Sequence, residues 1–137
     1  MSYTGKKGRV LLANTDTMFI KGLRSHLESA GYEVVYECSN GNDALKKAIE
    51  LQPDAVILGL MLPGKDGSQV IATVKAAHPA IAPVCIITTS VANPLMLNEA
   101  IAAGAEYCIM RPCDYDGLLN KLHKALTKRL CTTGIGT

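Results

Sequence analysis

Residues 53–67 read PDAVILGLMLPGKDG, and this stretch decides the architecture. Its first half is an apolar run without polar alternation, which marks a strand covered on both faces, as the central strand of a parallel sheet must be. Its second half packs proline, glycine, lysine and aspartate into PGKDG, the chemistry of a loop that turns into a helix. A strand, a loop and then a helix make up half of a βαβ unit.

Working outward, the same rhythm occurs five times. The strands are expected at RVLLAN (9–14), YEVVYE (32–37), DAVILGL (54–60), APVCIITT (82–89) and EYCIM (106–110). The first helix is predicted over about 17–30, with Met18, Leu23 and Leu27 among its apolar positions and Gly31 as its stop. Asn40 caps a second helix, GNDALKKAIEL, which Pro53 closes. Further helices are predicted over 67–77, over 94–103 with Gly104 as a left-handed cap, and over 115–130. Alternating βα units predict a doubly wound α/β sandwich around a parallel sheet. The domain is expected to span 9–130, with 1–8 as an N-terminal extension and 131–137 as a C-terminal tail or the start of a linker.

The bulk properties agree with one such domain. The chain has 137 residues, 48% hydrophobic and 19% charged, enough for a single core and cramped for two. It contains no uninterrupted apolar run of about 18 residues, and no apolar signal core follows the N-terminal lysines, so a cytoplasmic location is expected. Cys38, Cys85, Cys108, Cys113 and Cys131 show no paired spacing, which reads as packed, reduced thiols and not as a zinc site or a disulfide frame. A net charge of +2, one Phe and no Trp give no ground for nucleic-acid binding.

Doubly wound sheets bind ligands at the carboxyl ends of their strands, where loops and helix N-termini converge. That rule directs attention to Asn14-Thr15-Asp16, Cys38-Ser39-Asn40, Gly59-Leu60-Met61, Thr88-Thr89-Ser90 and Arg111-Pro112.

At these positions the chain resembles the receiver domain of bacterial two-component response regulators, over roughly residues 9–130. PDAVILGLMLPGKDG follows the order of the family's PD-apolar-D-apolar-MP-x-x-DG pattern, and GAEYCIMRPCD follows that of GA-x-x-apolar-apolar-K-P-F. Residues 88–114 are further similar to the receiver of the sporulation master regulator of Gram-positive bacteria. The resemblance implies a CheY-like, flavodoxin-like (βα)5 three-layer sandwich with strand order 2-1-3-4-5 and a place in histidine-kinase signalling.

Carried over position by position, the family's Mg²⁺-binding acidic pair falls on Asn14 and Thr15 and its phosphoacceptor on Gly59. Its hydroxyl falls on Thr88, its lysine on Arg111 and its aromatic switch on Cys108. Glycine cannot form an acyl phosphate, and neither Asn14 nor Thr15 supplies the anionic oxygen that Mg²⁺ favours. Three acids and a lysine become one cation, so a positively biased pocket and no bound metal or other cofactor are expected. Tyr107 neighbours Cys108, but adjacent strand residues face opposite sides, so it is no simple replacement for the switch.

Asp16 and Asp66 are the candidate substitute acids. The simpler role for Asp16 is an N-cap or first-turn acid, and for Asp66 a turn or cap residue. Thr88, Arg111 and Asn14 could form a small-anion site, although Arg111 as a plain surface or pocket cation is the simpler reading. His26, His78 and His123 are scattered, and no ligand role is expected of them. Met61, Met96 and Met110 are expected to pack. Lys121, Lys124, Lys128 and Arg129 read as a solvated face of the last helix.

The expectation is therefore an atypical receiver and not an enzyme. It would act by phosphorylation-independent protein contact or self-association through the fourth helix, fifth strand and last helix. In a longer chain it would control a DNA-binding output domain, without binding nucleic acid or membrane itself. The alternatives are a phosphoacceptor at Asp16 or Asp66, or an anion sensor at Thr88 and Arg111.

Overall fold

A computed structural model describes residues 7–79, 82–91 and 93–134, with side chains described up to residue 129. Five strands, β1 (Gly8–Ala13), β2 (Tyr32–Cys38), β3 (Ala55–Gly59), β4 (Val84–Thr89) and β5 (Tyr107–Met110), alternate with five helices. The helices are α1 (Thr17–Ser29), α2 (Gly41–Leu51), α3 (Gly67–Ala77), α4 (Pro94–Ala103) and α5 (Tyr115–Gly134). All strand pairs are parallel, in the order β2-β1-β3-β4-β5. The expected order and fold class are therefore observed.

Each strand feeds both layers by the two-residue period of its side chains. Val10 and Leu12, Ala55 and Ile57, and Val84 and Ile86 join Phe19, Leu23, Leu27, Leu118 and Leu122 in the core under α1 and α5. Leu11 and Ala13, Val56 and Leu58, and Cys85 and Ile87 join Ala44, Val70, Ile71 and Ala100 in the core under α2, α3 and α4. Every residue of β3 and β4 is buried, which is why the sequence of β3 shows a continuous apolar run.

The helix ends use the expected chemistry. Asn40 accepts from the Asp43 N–H at 2.8 Å, and Gly104 ends α4 with φ 117°. Arg9 donates to the carbonyl oxygens of Leu51 and Gln52, placing a cation on the orphan acceptors at the C-terminus of α2.

Three local expectations change. The last helix continues to Gly134, four residues beyond the expected end at residue 130, so most of the segment read as a tail or linker is helical. Ala, Leu, Lys and Thr dominate its last turns with no proline among them, so nothing in the chain stops it earlier. Met18 is 75% exposed and does not serve the apolar face of α1, where Phe19 and Ile20 are buried instead. Met61 and Met110 are also exposed, and of the three methionines expected to pack only Met96 lies against the core.

Candidate functional site

Parallel register brings the site positions together. Gly59 pairs with Thr88, and Ala13 with Leu58, which sets Asn14 beside Gly59 just past the end of β1. Asn14, Gly59, Thr88 and Arg111 continue the strand positions that face α1 and α5, so all four fall on one side of the sheet edge.

Asn14 and Thr88 are buried, and the Asn14 Nδ2 donates to Thr88 Oγ1 at 3.4 Å. The Asn14 Oδ1 accepts from the Asp16 N–H at 2.9 Å, so both ends of the carboxamide are engaged. A Cβ built on Gly59 would lie 3.3 Å from Asn14 Nδ2, so the amide sits beside the space an acceptor side chain would enter. Thr15 is exposed. Gly67 is a glycine because a Cβ there would lie 2.6 Å from the Gly59 carbonyl oxygen, which lets the loop after β3 close over the strand end.

Arg111 does not join Thr88. Its Nη2 donates to Asp16 Oδ2, and its guanidinium lies 4.2 Å above the Phe19 ring. Asp16 is the N-cap of α1 and also accepts from the Phe19 N–H at 3.0 Å. That backbone donor first, and the Arg111 guanidinium second, hold the Asp16 carboxyl below the usual carboxylate range. The expected excess of positive charge is thereby corrected, because Asp16 balances the one cation. The three residues considered for a small-anion site each have other partners. Asn14 and Thr88 bond one another, and Arg111 is engaged by α1.

The other acids and the switch position follow the simpler readings. Asp66 caps α3 and forms a capping box with Gln69, accepting from the Gln69 N–H at 2.9 Å while Gln69 Oε1 accepts from the Asp66 N–H. Cys108 packs toward the core under α2, α3 and α4, and Tyr107 toward the opposite core, as strand alternation requires. Burial raises the Cys108 thiol above its ordinary range.

The residues present do not fit Mg²⁺. The metal needs a hard octahedral oxygen set, usually with carboxylates. Here Asn14 is already committed, Thr15 points to solvent, Gly59 has no side chain, and the Asp16 carboxylate holds Phe19 N–H and Arg111. Among the described residues no group of three His, Cys, Asp or Glu side chains could hold a metal ion. Nor is any helix among them long and apolar enough to cross a membrane.

Two aromatic residues of this region were missed by the sequence reading. Phe19 stacks on Tyr115 with ring centroids 5.8 Å apart, and the Tyr115 hydroxyl donates to the Phe19 carbonyl at 3.3 Å. Gly22 makes room for this, since a Cβ there would lie 2.3 Å from the Tyr115 hydroxyl oxygen. Arg111, Phe19 and Tyr115 thus form a strap joining the end of β5 to α1 and α5. The available signal was modest: Phe19 is the single Phe of the chain and lies three residues after Asp16.

The family model of the response regulator receiver domain matches residues 10–123. The chain belongs to that family. It is 33% identical over 116 residues to the chemotaxis protein CheY of Listeria monocytogenes, an alignment covering 84% of this chain and 96% of that one. It is 30% identical to the chemotaxis protein CheY of Thermotoga maritima, covering 85% and 95%. Among solved structures, the CheY-like receiver domain protein of Methanospirillum hungatei superposes with a TM-score of 0.82 at 24% identity, covering 88% of this chain and 94% of that one. The chain is thus a response-regulator receiver domain of two-component signalling.

Proposed function

We propose that this receiver is a regulatory binding module and not an enzyme, that it takes up no phosphoryl group, and that it acts in the cytoplasm through protein contact. The observation that carries this reading is Gly59: the side chain that would be phosphorylated is missing, and the Asn14 amide fills the adjoining space. The commitment of Asp16 to an N-cap and to Arg111, and of Asp66 to a capping box, argues against either as a substitute acceptor.

The contact surface we assign is the face of α4, β5 and α5. Helix α4 reads PLMLNEAIAA, yet among its residues Ala100 alone is buried. Leu95 is 75% exposed and Ile101 52%, with Met110 exposed at the end of the neighbouring β5. A contiguous exposed apolar patch marks an interaction surface, and Leu95, Ile101 and Met110 are the side chains we assign to one here. A second copy of the domain or a protein partner covers it, and in a longer chain the output is a DNA-binding domain.

Incubation with acetyl phosphate and Mg²⁺, followed by intact mass, tests the first claim. The expected result is an unchanged mass, and a hydroxylamine-labile phosphoryl adduct would overturn it. Light scattering tests self-association: the wild-type chain is expected as a dimer at high concentration and Leu95→Glu as a monomer. A monomer at every concentration transfers the face to a different protein.

A further inference from the structure

A cavity of about 420 Å³ lies away from the sheet's carboxyl edge, between the start of β2, the C-cap of α1 and one face of α5. Its lining includes the apolar Ala30 and Leu119 and the ring of Tyr32. Asp116, Asn120 and His123 line it from α5, and Lys7 from the position just before β1. The cavity shares no lining residue with the site around Gly59. It falls in the size range of pockets that take small organic ligands.

We infer that this groove binds a short zwitterionic peptide of about three residues. Its polar groups are not satisfied by each other. Tyr32 is only 2% exposed, and its ring lies under the Lys7 ammonium at 5.8 Å. Its hydroxyl has no hydrogen-bond partner among the described residues and is not sealed in the interior, and the residue lines the cavity. A buried tyrosine ordinarily finds a partner for that hydroxyl. Lys7 and Asp116 have opposite charges, line the same cavity and form no ion pair among the described residues.

Asp116, Asn120 and His123 recur at helical spacing, so their wall runs about 10 Å along α5. An extended chain advances about 3.3 Å per residue, and roughly three residues match that length. The Asp116 carboxylate accepts from the peptide ammonium at one end, and Lys7 with His123 receives the terminal carboxylate at the other. Tyr32 hydroxyl and the Asn120 carboxamide meet the peptide groups between them, and an apolar side chain lies on Ala30 and Leu119. Asp116 adjoins Tyr115, so occupancy bears on the strap between α5 and α1. The inference stands whether or not the acceptor reading holds.

Titration of alanyl-leucyl-alanine into the full ¹⁵N-labelled chain tests it. The expected result is saturable amide shifts at Ala30, Tyr32, Asn120 and His123, with Gly59 and Thr88 unmoved. Asp116→Asn and Lys7→Gln, both at exposed positions and folded as the wild type by their spectra, each weaken binding about tenfold or more. The same peptide acetylated and amidated produces no shifts. Absence of shifts, equal shifts with the capped peptide, or affinity unaffected by both substitutions would overturn the assignment.

Discussion

Asp16 and Arg111 stand 95 positions apart in the chain and form an ion pair across the mouth of the site, with the guanidinium of Arg111 resting on Phe19. The pair ties the N-cap of α1 to the end of β5, two elements that share no strand pairing. It also explains why the neighbourhood of Gly59 is close to neutral: the cation that could attract an anion is occupied, and the acid that could attract a metal is occupied by the same bond. The remaining polar pair, Asn14 and Thr88, is buried and satisfied internally.

The Asp16 carboxyl titrates below its ordinary value, so its stabilising contribution is complete above about pH 4 and fades as the pH falls through the folded value. Asp16→Asn keeps a capping side chain and loses the charge. The melting temperature of the variant, followed from pH 7 down to pH 3, is expected to start below the wild type and converge on it at the acid end. Parallel curves would show that the charge is not the source of the difference.

Rebuilding the family's acids should rebuild the chemistry. Gly59→Asp alone places its Cβ 3.3 Å from Asn14 Nδ2, a contact that a small shift of the amide relieves. Without metal ligands it should remain unphosphorylated. Asn14→Asp, Thr15→Asp and Gly59→Asp combined are expected to bind Mg²⁺ and gain an acetyl-phosphate-dependent adduct. Intact mass with and without a chelator reads the outcome.

Gly22→Ala puts a methyl group where the Tyr115 hydroxyl lies. A glycine inside an exposed helix turn would gain about 1 kcal/mol on becoming alanine. Here the gain is reversed by the clash, to a net loss of roughly 1–2 kcal/mol, within the range for overpacking. Tyr115→Ala removes the obstacle, so the double variant should be more stable than the sum of the single losses predicts. Urea unfolding of the four proteins gives the coupling, and simple additivity would refute the contact.

Thiol reactivity should follow burial. Desolvation pushes Cys85 up to about 12 and Cys38 to about 11, and raises Cys108 and Cys113 by less. Thiolate is the reactive form, so in the native chain at pH 8 iodoacetamide is expected to reach Cys108 and Cys113 before Cys38, and Cys85 only after unfolding. Peptide mapping over time orders the sites.

The fold could be read from the sequence because burial on both faces writes itself into composition. Residues 55–58 and 84–87 contain no polar side chain, and Asn40, Gly31 and Gly104 punctuate the helices by local chemistry. The site positions could be read as well, since a fixed spacing after each strand places them on the same edge. Side-chain direction could not. Nothing in MRPCD says that Arg111 turns toward α1, because that choice depends on Asp16 and Phe19 about 95 positions earlier. Met18, Met61 and Met110 misled for a related reason: hydrophobic character alone does not reveal which positions face water at a loop or helix end. The length of the last helix was underestimated because CTTG resembles a loop, whereas its backbone continues the helix.

The strap through Arg111, Phe19, Tyr115 and Gly22 gives the domain two mechanical halves. On one side, α1 and α5 are bolted to each other and to β5 by an ion pair, stacked rings and a hydrogen bond. On the other, α4 is fastened through Ala100 and the partly buried Met96 and Leu97. The α1–α5 side is thus joined by polar and aromatic contacts that cross the layer, and α4 by apolar packing on the sheet and on α3.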